Sequence, residues 1–229
     1  MREVVPAYTA DQVRAAERPL LEAGVPLMRR AASALAAIAR EQVDGVSRVL
    51  VLAGSGDNGG DALYAAAELA DDVPVDVLTV GSRVHEGAWE AAERAGARRV
   101  SIEDAVAEAS GRVLVLDGIL GIGVTADPAL RGPARDAVLR LRPLLRHVIA
   151  VDLPSGLHPD SGGAGDAVLA ASTTVTFGAV KAGLVTGRGP ELAGEIVLVD
   201  IGLGPALAAQ APVGEASVSR IITAPGGPR

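Results

Sequence analysis

Short apolar runs, each separated from the next by a helical pattern, recur along most of the chain. The runs lie at residues 49–53, 75–80, 113–116 and 147–151. Runs of this length are typical of strands that are buried on both faces of a sheet. Helical patterns separate them at about 61–70, 84–95, 102–109 and 133–142. This alternation predicts an α/β fold with a mostly parallel central sheet and helices on both of its faces.

Two helices are predicted ahead of the first apolar run. Thr9 and Gln12 have the spacing of a capping box, which closes the first turn of a helix. We therefore expect a helix from Ala10 to about Glu22. A second helix should follow, with Pro26 in its first turn.

The last third of the chain has a different pattern. Residues 171–177 and 195–200 are β-like, and we expect them to extend the sheet at one edge. From residue 205 the sequence is rich in Pro, Ala and Gly, which is typical of a tail or a linker. The predicted organisation is one domain over residues 1–204, followed by a tail or linker over residues 205–229.

The composition excludes several classes of function. Aromatic residues make up 2% of the chain and the formal net charge is -7, which disfavours binding to nucleic acid or to anionic membranes. Cysteine is absent, which removes disulfides, thiolate zinc sites and cysteine nucleophiles. The chain has no apolar stretch of about 20 residues and no apolar secretory segment after Met1. We therefore expect a cytoplasmic protein that acts on a small molecule.

Three predicted turns follow strands and carry the same kinds of residue. They lie at residues 54–61, 117–123 and 152–157, and each combines glycine with carboxylate, amide or hydroxyl side chains. In an open parallel sheet, ligands bind beyond the carboxyl ends of the strands. The sequence therefore predicts a single site at which these three turns meet.

The first of these turns matches the dinucleotide-binding pattern G-x-G-x-x-G at Gly54, Gly56 and Gly59. The acidic residue expected at the end of the next strand is missing, because Gly81 and Ser82 stand there. Asp57 and Asp61 would also place negative charge beside a pyrophosphate. These departures argue against an ordinary NAD-dependent oxidoreductase, and a purely structural turn remains an alternative for this loop alone.

Oxygen-bearing side chains dominate the three turns. Asp117 and Asp152 end apolar strands, where each can cap its own turn. Together with Asn58 and Ser155 they form a set of hard oxygen donors, which suits an alkali or alkaline-earth cation better than zinc. Lys181 either pairs with one of the site carboxylates or is solvated.

Four ordered motifs resemble those of the YjeF N-terminal domain family of NAD(P)H-hydrate epimerases. Residues 54–62 resemble its G-x-G-N-N-G-G-D-G segment, residues 117–123 its D-A-L-F-G-T-G segment, and residues 151–157 its V-D-I-P-S-G-L segment. Residues 176–183 and 194–202 follow the closing pattern of the family, and residues 8–14 fit its entry helix. The resemblance covers about residues 5–204.

This resemblance implies a Rossmann-like three-layer sandwich, an isomerase activity that interconverts the R and S forms of hydrated NADH and NADPH, and a bound potassium ion. The potassium ligands it implies are Asn58, Asp117 and Ser155. The substrate contacts it implies are Asp57, Asn58, Gly59, Gly60, Asp61, Gly121, Ile122, Gly123, Val124, Thr125, Ala126, Asp127 and Asp152. It also implies a homodimer, and a dehydratase that is either separate or fused to the chain.

We hypothesise that Asp152 is the catalytic residue and serves as both acid and base. The cation and the backbone N–H groups of the glycine loop would hold the diphosphate and the ring. Four residues depart from the family pattern: Arg29 replaces a Glu, Asp57 an Asn, Ala62 a Gly, and Ile122 a Thr. These departures are compatible with altered substrate preference or reduced activity.

Two alternatives to a stand-alone epimerase stay open on the sequence. The first is a catalytically weak binding or scaffold domain, for which Asp57 and Ile122 would be the sign. The second is the N-terminal half of a bifunctional epimerase–dehydratase, in which the segment after residue 205 begins a linker.

Overall fold

The structure of the chain is a computed structural model that describes residues 2–109, 112–123 and 127–226. The strands are β1 (Glu3–Tyr8), β2 (Arg48–Ala53), β3 (Val75–Thr79), β4 (Arg98–Arg99), β5 (Val113–Gly118), β6 (His147–Val151), β7 (Thr173–Phe177), β8 (Val180–Lys181), β9 (Glu195–Asp200), β10 (Gly214–Val218) and β11 (Arg220–Thr223). The helices are α1 (Ala10–Glu22), α2 (Leu27–Arg40), α3 (Asp57–Leu69), α4 (Glu86–Arg94), α5 (Ile102–Glu108), α6 (Gly132–Leu141), α7 (Gly189–Leu192) and α8 (Gly204–Leu207).

The central sheet has eight strands in the order β4-β3-β2-β5-β6-β7-β9-β11. All of its neighbouring strands pair in parallel. The chain builds one half of the sheet outward from β2 and then returns to build the other half outward from β5. The crevice beyond β2 and β5 is therefore the switch point of the topology, where open parallel sheets bind ligands. The predicted Rossmann-like α/β fold is confirmed.

Side chains of the central strands alternate between two cores, one on each face of the sheet. In β2, Val49 and Val51 pack in the larger core with α2, α3 and α4, whereas Leu50 and Leu52 pack in a second core with α5 and α6. This alternation follows from the two-residue repeat of a strand. Burial on both faces explains why the strands are unbroken apolar runs, and the result is the predicted three-layer sandwich.

Helix α1 begins where the sequence predicts, whereas Pro26 lies one residue before the helix whose first turn it was expected to join. Thr9 Oγ1 accepts a hydrogen bond from the Gln12 backbone N–H (3.3 Å), and Gln12 Oε1 accepts one from the Thr9 N–H (2.9 Å). This capping box starts α1. Pro26 is the N-terminal cap residue of α2.

Helix α3 begins four residues earlier than the sequence pattern predicts, at Asp57 instead of Asp61. The early start brings Gly59 and Gly60 into the first turns, despite the low helix propensity of glycine. A Cβ on Gly59 would lie 2.2 Å from the carbonyl oxygen of Gly54, so the close approach of the loop requires glycine there. Asn58 and Asp61 are thereby fixed on a rigid helix.

The prediction that residues 205–229 form a tail or linker is wrong for residues 214–223. Strand β10 pairs antiparallel with β1, which pairs in parallel with β8 to make a small second sheet. Strand β11 pairs in parallel with β9 and extends the central sheet by one strand. The Pro/Ala/Gly-rich composition does not predict these strands, because the strands with which they pair are distant in sequence. Ala216 and Val218 are nevertheless buried by the ordinary alternation of a strand. No helix among the described residues is long and apolar enough to cross a membrane.

Candidate active site

The end of β5 and the turn after β6 are joined by direct hydrogen bonds between Asp117 and Ser155. The Ser155 hydroxyl donates to Asp117 Oδ1 at 2.6 Å, and the Ser155 backbone N–H donates to Asp117 Oδ2 at 2.9 Å. Both residues are buried. Burial raises the pKa of the Asp117 carboxyl, and the hydrogen bonds from Ser155 partly offset that increase.

Asn58, in the first turn of α3 after β2, lies close to the same residues. The Leu120 N–H donates to Ser155 Oγ at 2.9 Å, and a Cβ on the next residue, Gly121, would lie 3.0 Å from Asn58 Oδ1. Asn58 is 7% exposed, and its Nδ2 atom has no hydrogen-bond partner among the described residues. Buried polar atoms are rarely left unpaired, so Asn58 is suited to contact a ligand.

Asn58, Asp117 and Ser155 thus lie around the short loop 119–121, as the sequence predicts for the three turns. Their amide, carboxylate and hydroxyl oxygens form a donor set of the type that hard cations prefer. The buried Asp117 carboxylate would also gain from a nearby positive charge. The residues present therefore fit a potassium ion.

Asp152 follows β6 and has a backbone φ of 65°, the only positive value at a non-glycine residue among the described parts of the chain. Such a conformation is strained and is maintained here by contacts of the side chain. Asp152 Oδ1 accepts hydrogen bonds from the Thr176 hydroxyl and the Phe177 N–H, both at 3.2 Å, and from the Lys181 ammonium. Its other carboxylate oxygen has no such partner among the described residues.

Lys181 is 1% exposed and forms an ion pair with Asp152. Its ammonium also donates to Thr176 Oγ1 at 3.2 Å and to the Phe177 carbonyl at 2.8 Å. These three acceptors satisfy the three donors of an ammonium group. Of the two alternatives that the sequence left open for Lys181, pairing with a site carboxylate is the one observed.

A pocket of about 780 Å³ opens beside these groups. Phe177, Lys181 and Ile201 line part of it. The residues of the three turns and of α3 that line it are Gly56, Asp57, Asn58, Asp61, Ile119, Leu120, Gly121, Ile122, Gly123 and Asp152. Helices α1 and α2 close it on another side with Arg14, Glu17, Arg18, Leu21, Leu27, Met28 and Ala31. The contribution of α1 to the pocket is not predicted by the sequence, because no local motif indicates it.

Two carboxyl groups in this pocket are perturbed by their surroundings. Burial raises the pKa of Asp61 well above its usual value, and the negative charges of Asp152, Asp57 and Glu17 raise it further, while Lys181 lowers it. Burial also raises the pKa of Glu17. Asp61 Oδ1 is shielded from solvent and has no hydrogen-bond partner among the described residues. Perturbed carboxyl groups that line a pocket are typical of functional sites.

Some of the predicted substrate contacts are not on the pocket wall. Gly59 packs against Gly54, and Gly60 faces Met28 and His85. Asp127 is exposed and pairs with Arg131 at 2.5 Å. Val124, Thr125 and Ala126 lie outside the described residues.

The four departures from the family pattern have different surroundings. The Arg29 guanidinium lies 3.9 Å from the centre of the Tyr64 ring, and Ala62 is fully buried. The Ile122 carbonyl accepts a hydrogen bond from Arg14 Nη1 at 2.5 Å. Asp57 is exposed at the first turn of α3. Ile122 and Asp57 are the two departures that line the pocket.

Fold and site together define a doubly wound α/β protein with a small-molecule pocket at the switch point of its sheet. The sequence profile of the family described as YjeF-related protein N-terminus matches residues 24–183. The chain belongs to this family.

Relatives of known name match nearly the whole chain. An NAD(P)H-hydrate epimerase from Microbacterium testaceum is 57% identical over 97% of this chain and 89% of its own length. One from Clavibacter sepedonicus is 49% identical over 87% of this chain and 92% of its own length. A bifunctional NAD(P)H-hydrate repair enzyme from Mycobacterium tuberculosis is 39% identical over 86% of this chain but only 41% of its own length.

A solved structure has the same fold. The crystal structure of the yeast protein YNL200c superposes with a TM-score of 0.69 at 17% identity, covering 79% of this chain and 84% of that protein.

Proposed function

We propose that this protein is an NAD(P)H-hydrate epimerase, an isomerase that interconverts the R and S forms of hydrated NADH and NADPH. The observation that carries the proposal is the identity of 57% to a relative of that name over 97% of the chain. The pocket supports it, because about 780 Å³ is within the usual range for small-molecule and cofactor sites.

The chemistry requires acid–base groups and no redox partner. In the hydrated ring, a nitrogen lone pair lies next to the carbon that bears the hydroxyl, so it can help to expel water when an acid protonates that hydroxyl. Water then adds back to the ring carbon while a base accepts its proton. Asp152 lines the pocket and is held by Lys181 and Thr176 through one oxygen, which leaves its second oxygen for the substrate.

The first turn of α3 is suited to bind the diphosphate of the substrate. Gly56, its N-terminal cap residue, has no side chain to satisfy the first backbone N–H groups. Uncapped N–H groups and the helix dipole together favour phosphate at this position. Asp57 adds a negative charge in the same turn, which weakens this attraction.

Asn58, Asp117 and Ser155 would hold a potassium ion in this protein. Bound there, the ion would supply a fixed positive charge beneath the pocket and hold the three turns together. The experiment below therefore includes potassium as a variable.

We further propose that the protein is a cytoplasmic homodimer that works with a dehydratase. The homodimer and the location rest on the family resemblance and on the absence of cysteine from the chain. The dehydratase is supported by the bifunctional relatives, in which a sequence like this one occupies 41% of the length.

The test is to incubate the protein with the separated R and S hydrates of NADH and of NADPH, and to follow each by chromatography. We expect either pure epimer to reach the same mixture far faster than in buffer, and faster with potassium than with an equal concentration of sodium. A folded sample that leaves both epimers at the buffer rate would contradict the proposal and favour a binding or scaffold domain.

A further inference from the structure

Epimerisation by loss and return of water needs proton transfer on both faces of the ring. A single carboxyl group such as Asp152 contacts only one of these faces. If the proposed function is right, on which this inference rests, the pocket should hold a second acid–base group.

Asp61 has the position that such a group requires. It lines the same pocket as Asp152 but reaches it from α3, which follows β2, whereas Asp152 follows β6. Strand β5 lies between β2 and β6 in the sheet, so the two carboxyl groups approach from different sides of the end of β5.

The surroundings of Asp61 do not explain it as a structural residue. Its Oδ1 atom is buried and accepts no hydrogen bond from the described residues. The charged groups that act on it are Glu17 from α1, Asp57 from its own helix, Asp152 after β6 and Lys181 from β8. Three of these four are carboxyl groups, so the position destabilises a negative charge on Asp61.

A second orphaned atom lies in the same wall of the pocket. Asn58 is 7% exposed, lines the pocket one turn before Asp61, and leaves Nδ2 without a partner among the described residues. Two unpartnered polar atoms on adjacent turns of one helix indicate a ligand that supplies both a hydrogen-bond acceptor and a donor. A hydroxylated ring that bears a carboxamide has both.

We propose that Asp61 and Asp152 act as an acid–base pair on opposite faces of the hydrated nicotinamide ring. From one epimer, the protonated Asp61 carboxyl gives its proton to the leaving hydroxyl. The bond between carbon and oxygen breaks, and the lone pair of the ring nitrogen forms a double bond to that carbon. A water molecule then attacks the other face, and the Asp152 carboxylate accepts its proton.

This sequence conserves atoms, electrons and charge. One water leaves and one water enters, and one proton has moved from Asp61 to Asp152. The other epimer reacts with the two roles reversed, and exchange with solvent through the open pocket restores either starting form. Asp152 forms an ion pair with Lys181, whereas Asp61 has a buried Oδ1 without a partner among the described residues and lies among carboxyl groups. Different surroundings for two carboxyl groups are the usual way for a site to assign an acid and a base.

The test is to incubate each pure epimer with Asp61→Asn in water enriched in oxygen-18, and to measure both interconversion and label by chromatography and mass spectrometry. We expect interconversion to fall by about 100-fold or more, the usual contribution of an acid–base group. Label should still enter one epimer and not the other, because Asp152 can expel and return water on its own face. Glu68→Gln is the matched control, since Glu68 is an exposed carboxylate of the same helix outside the pocket.

Each outcome decides the proposal. Interconversion within about threefold of wild type in Asp61→Asn would overturn it, because Asp152 would then serve both faces. Absence of label from both epimers in a folded variant would also overturn it. Failure of the variant to fold would overturn it too, because Oδ1 has no hydrogen-bond partner among the described residues that the substitution could remove. If the wild-type protein itself fails to interconvert the epimers, the proposed function is wrong instead.

Discussion

Two aspartates at opposite ends of the central sheet, Asp76 and Asp61, have opposite surroundings. Asp76 lies near the start of β3 and is 5% exposed, and its carboxylate pairs with Arg48 and, at 3.0 Å, with Arg98. Glu108 completes this network by pairing with both arginines. Asp61 lies beyond the carboxyl ends of the strands, and its buried Oδ1 has no hydrogen-bond partner among the described residues.

The difference separates a structural carboxylate from a functional one. The Asp76 carboxylate is paired with two arginines and contributes to the fold. A buried polar atom without a partner costs free energy, and a protein retains it where a ligand completes it. We therefore expect a change at Asp76 to lower stability without affecting catalysis, and a change at Asp61 to lower catalysis.

The largest loss of stability should follow removal of one partner from the buried ion pair. Lys181→Met leaves the Asp152 carboxylate buried without its cation, and we expect the free energy of unfolding to fall by about 3–5 kcal/mol in urea titrations. Arg220→Met is the control, because it breaks an exposed pair with Glu41 and should cost less than about 1 kcal/mol. Equal decreases in the free energy of unfolding of the two variants would show that burial does not make the Lys181–Asp152 pair more important for stability than an exposed pair.

A smaller loss is expected at the other end of the sheet. Asp76→Asn removes the negative charge from its arginine network, and we expect a decrease of about 1–3 kcal/mol in the free energy of unfolding. Epimerisation at 25 °C should stay within about twofold of wild type, because the fold remains intact and the network is remote from the pocket. Asp71→Asn, at an exposed position, is the control for the substitution itself.

The pH dependence of stability distinguishes Asp61 from a paired carboxylate. Its folded-state pKa is raised by burial and by neighbouring carboxylates, so between the unfolded-state pKa and the folded-state pKa the native protein binds the additional proton. Asp61 therefore stabilises the protein at low pH, and this contribution is lost as the pH rises through that window. We expect Asp61→Asn to gain stability relative to wild type across the window, by at most about 1.4 kcal/mol per pH unit.

Urea titrations at intervals of pH measure this difference. Asp117 also has a raised pKa, but its charge is not among those that act on Asp61, so its contribution is the same in wild type and Asp61→Asn. The charge of Glu17 does act on Asp61, so the comparison is repeated with Glu17→Gln in both proteins. If the stability of Asp61→Asn relative to wild type instead decreases as the pH rises, the raised pKa assigned to Asp61 is contradicted.

The smallest effect is expected at Asp57, which is exposed at the first turn of α3. Asp57→Asn removes a negative charge near the proposed diphosphate position, so KM should fall by about two- to fivefold while kcat is unchanged. Steady-state kinetics at low and high salt check this, because the effect of an exposed charge should shrink as salt rises. A change in kcat with constant KM would place Asp57 in the chemistry.

The sequence predicts the centre of the fold well, because its signals there are local. Strands β2, β5 and β6 are short apolar runs, since helices cover both faces of the sheet. The convergence of Asn58, Asp117 and Ser155 is also predictable, because the carboxyl ends of parallel strands lie at one edge.

The second sheet and the last strands are not predictable in this way. Strand β1 pairs with β10 across almost the whole length of the chain, for example Val4 with Ser217, and no local pattern indicates such a partner. The Pro/Ala/Gly-rich composition of the segment from residue 205 onward instead predicts a tail.

The state of each site residue also depends on the tertiary structure. The sequence identifies Lys181 and Asp61 but does not predict the hydrogen-bond partners of Lys181. It also does not predict that Asp61 Oδ1 has no partner among the described residues. Glu17 shows the same limit, since its helix comes to the pocket only when α1 packs beside the turns.

The main inference is that Asp61, whose buried Oδ1 has no partner among the described residues, serves catalysis, whereas the paired Asp76 serves the fold. Its most direct test is the rate of epimer interconversion by Asp61→Asn and Asp76→Asn in the same assay. We predict a loss of about 100-fold or more for Asp61→Asn and a rate near that of wild type for Asp76→Asn. Similar rates in the two folded variants would contradict the account.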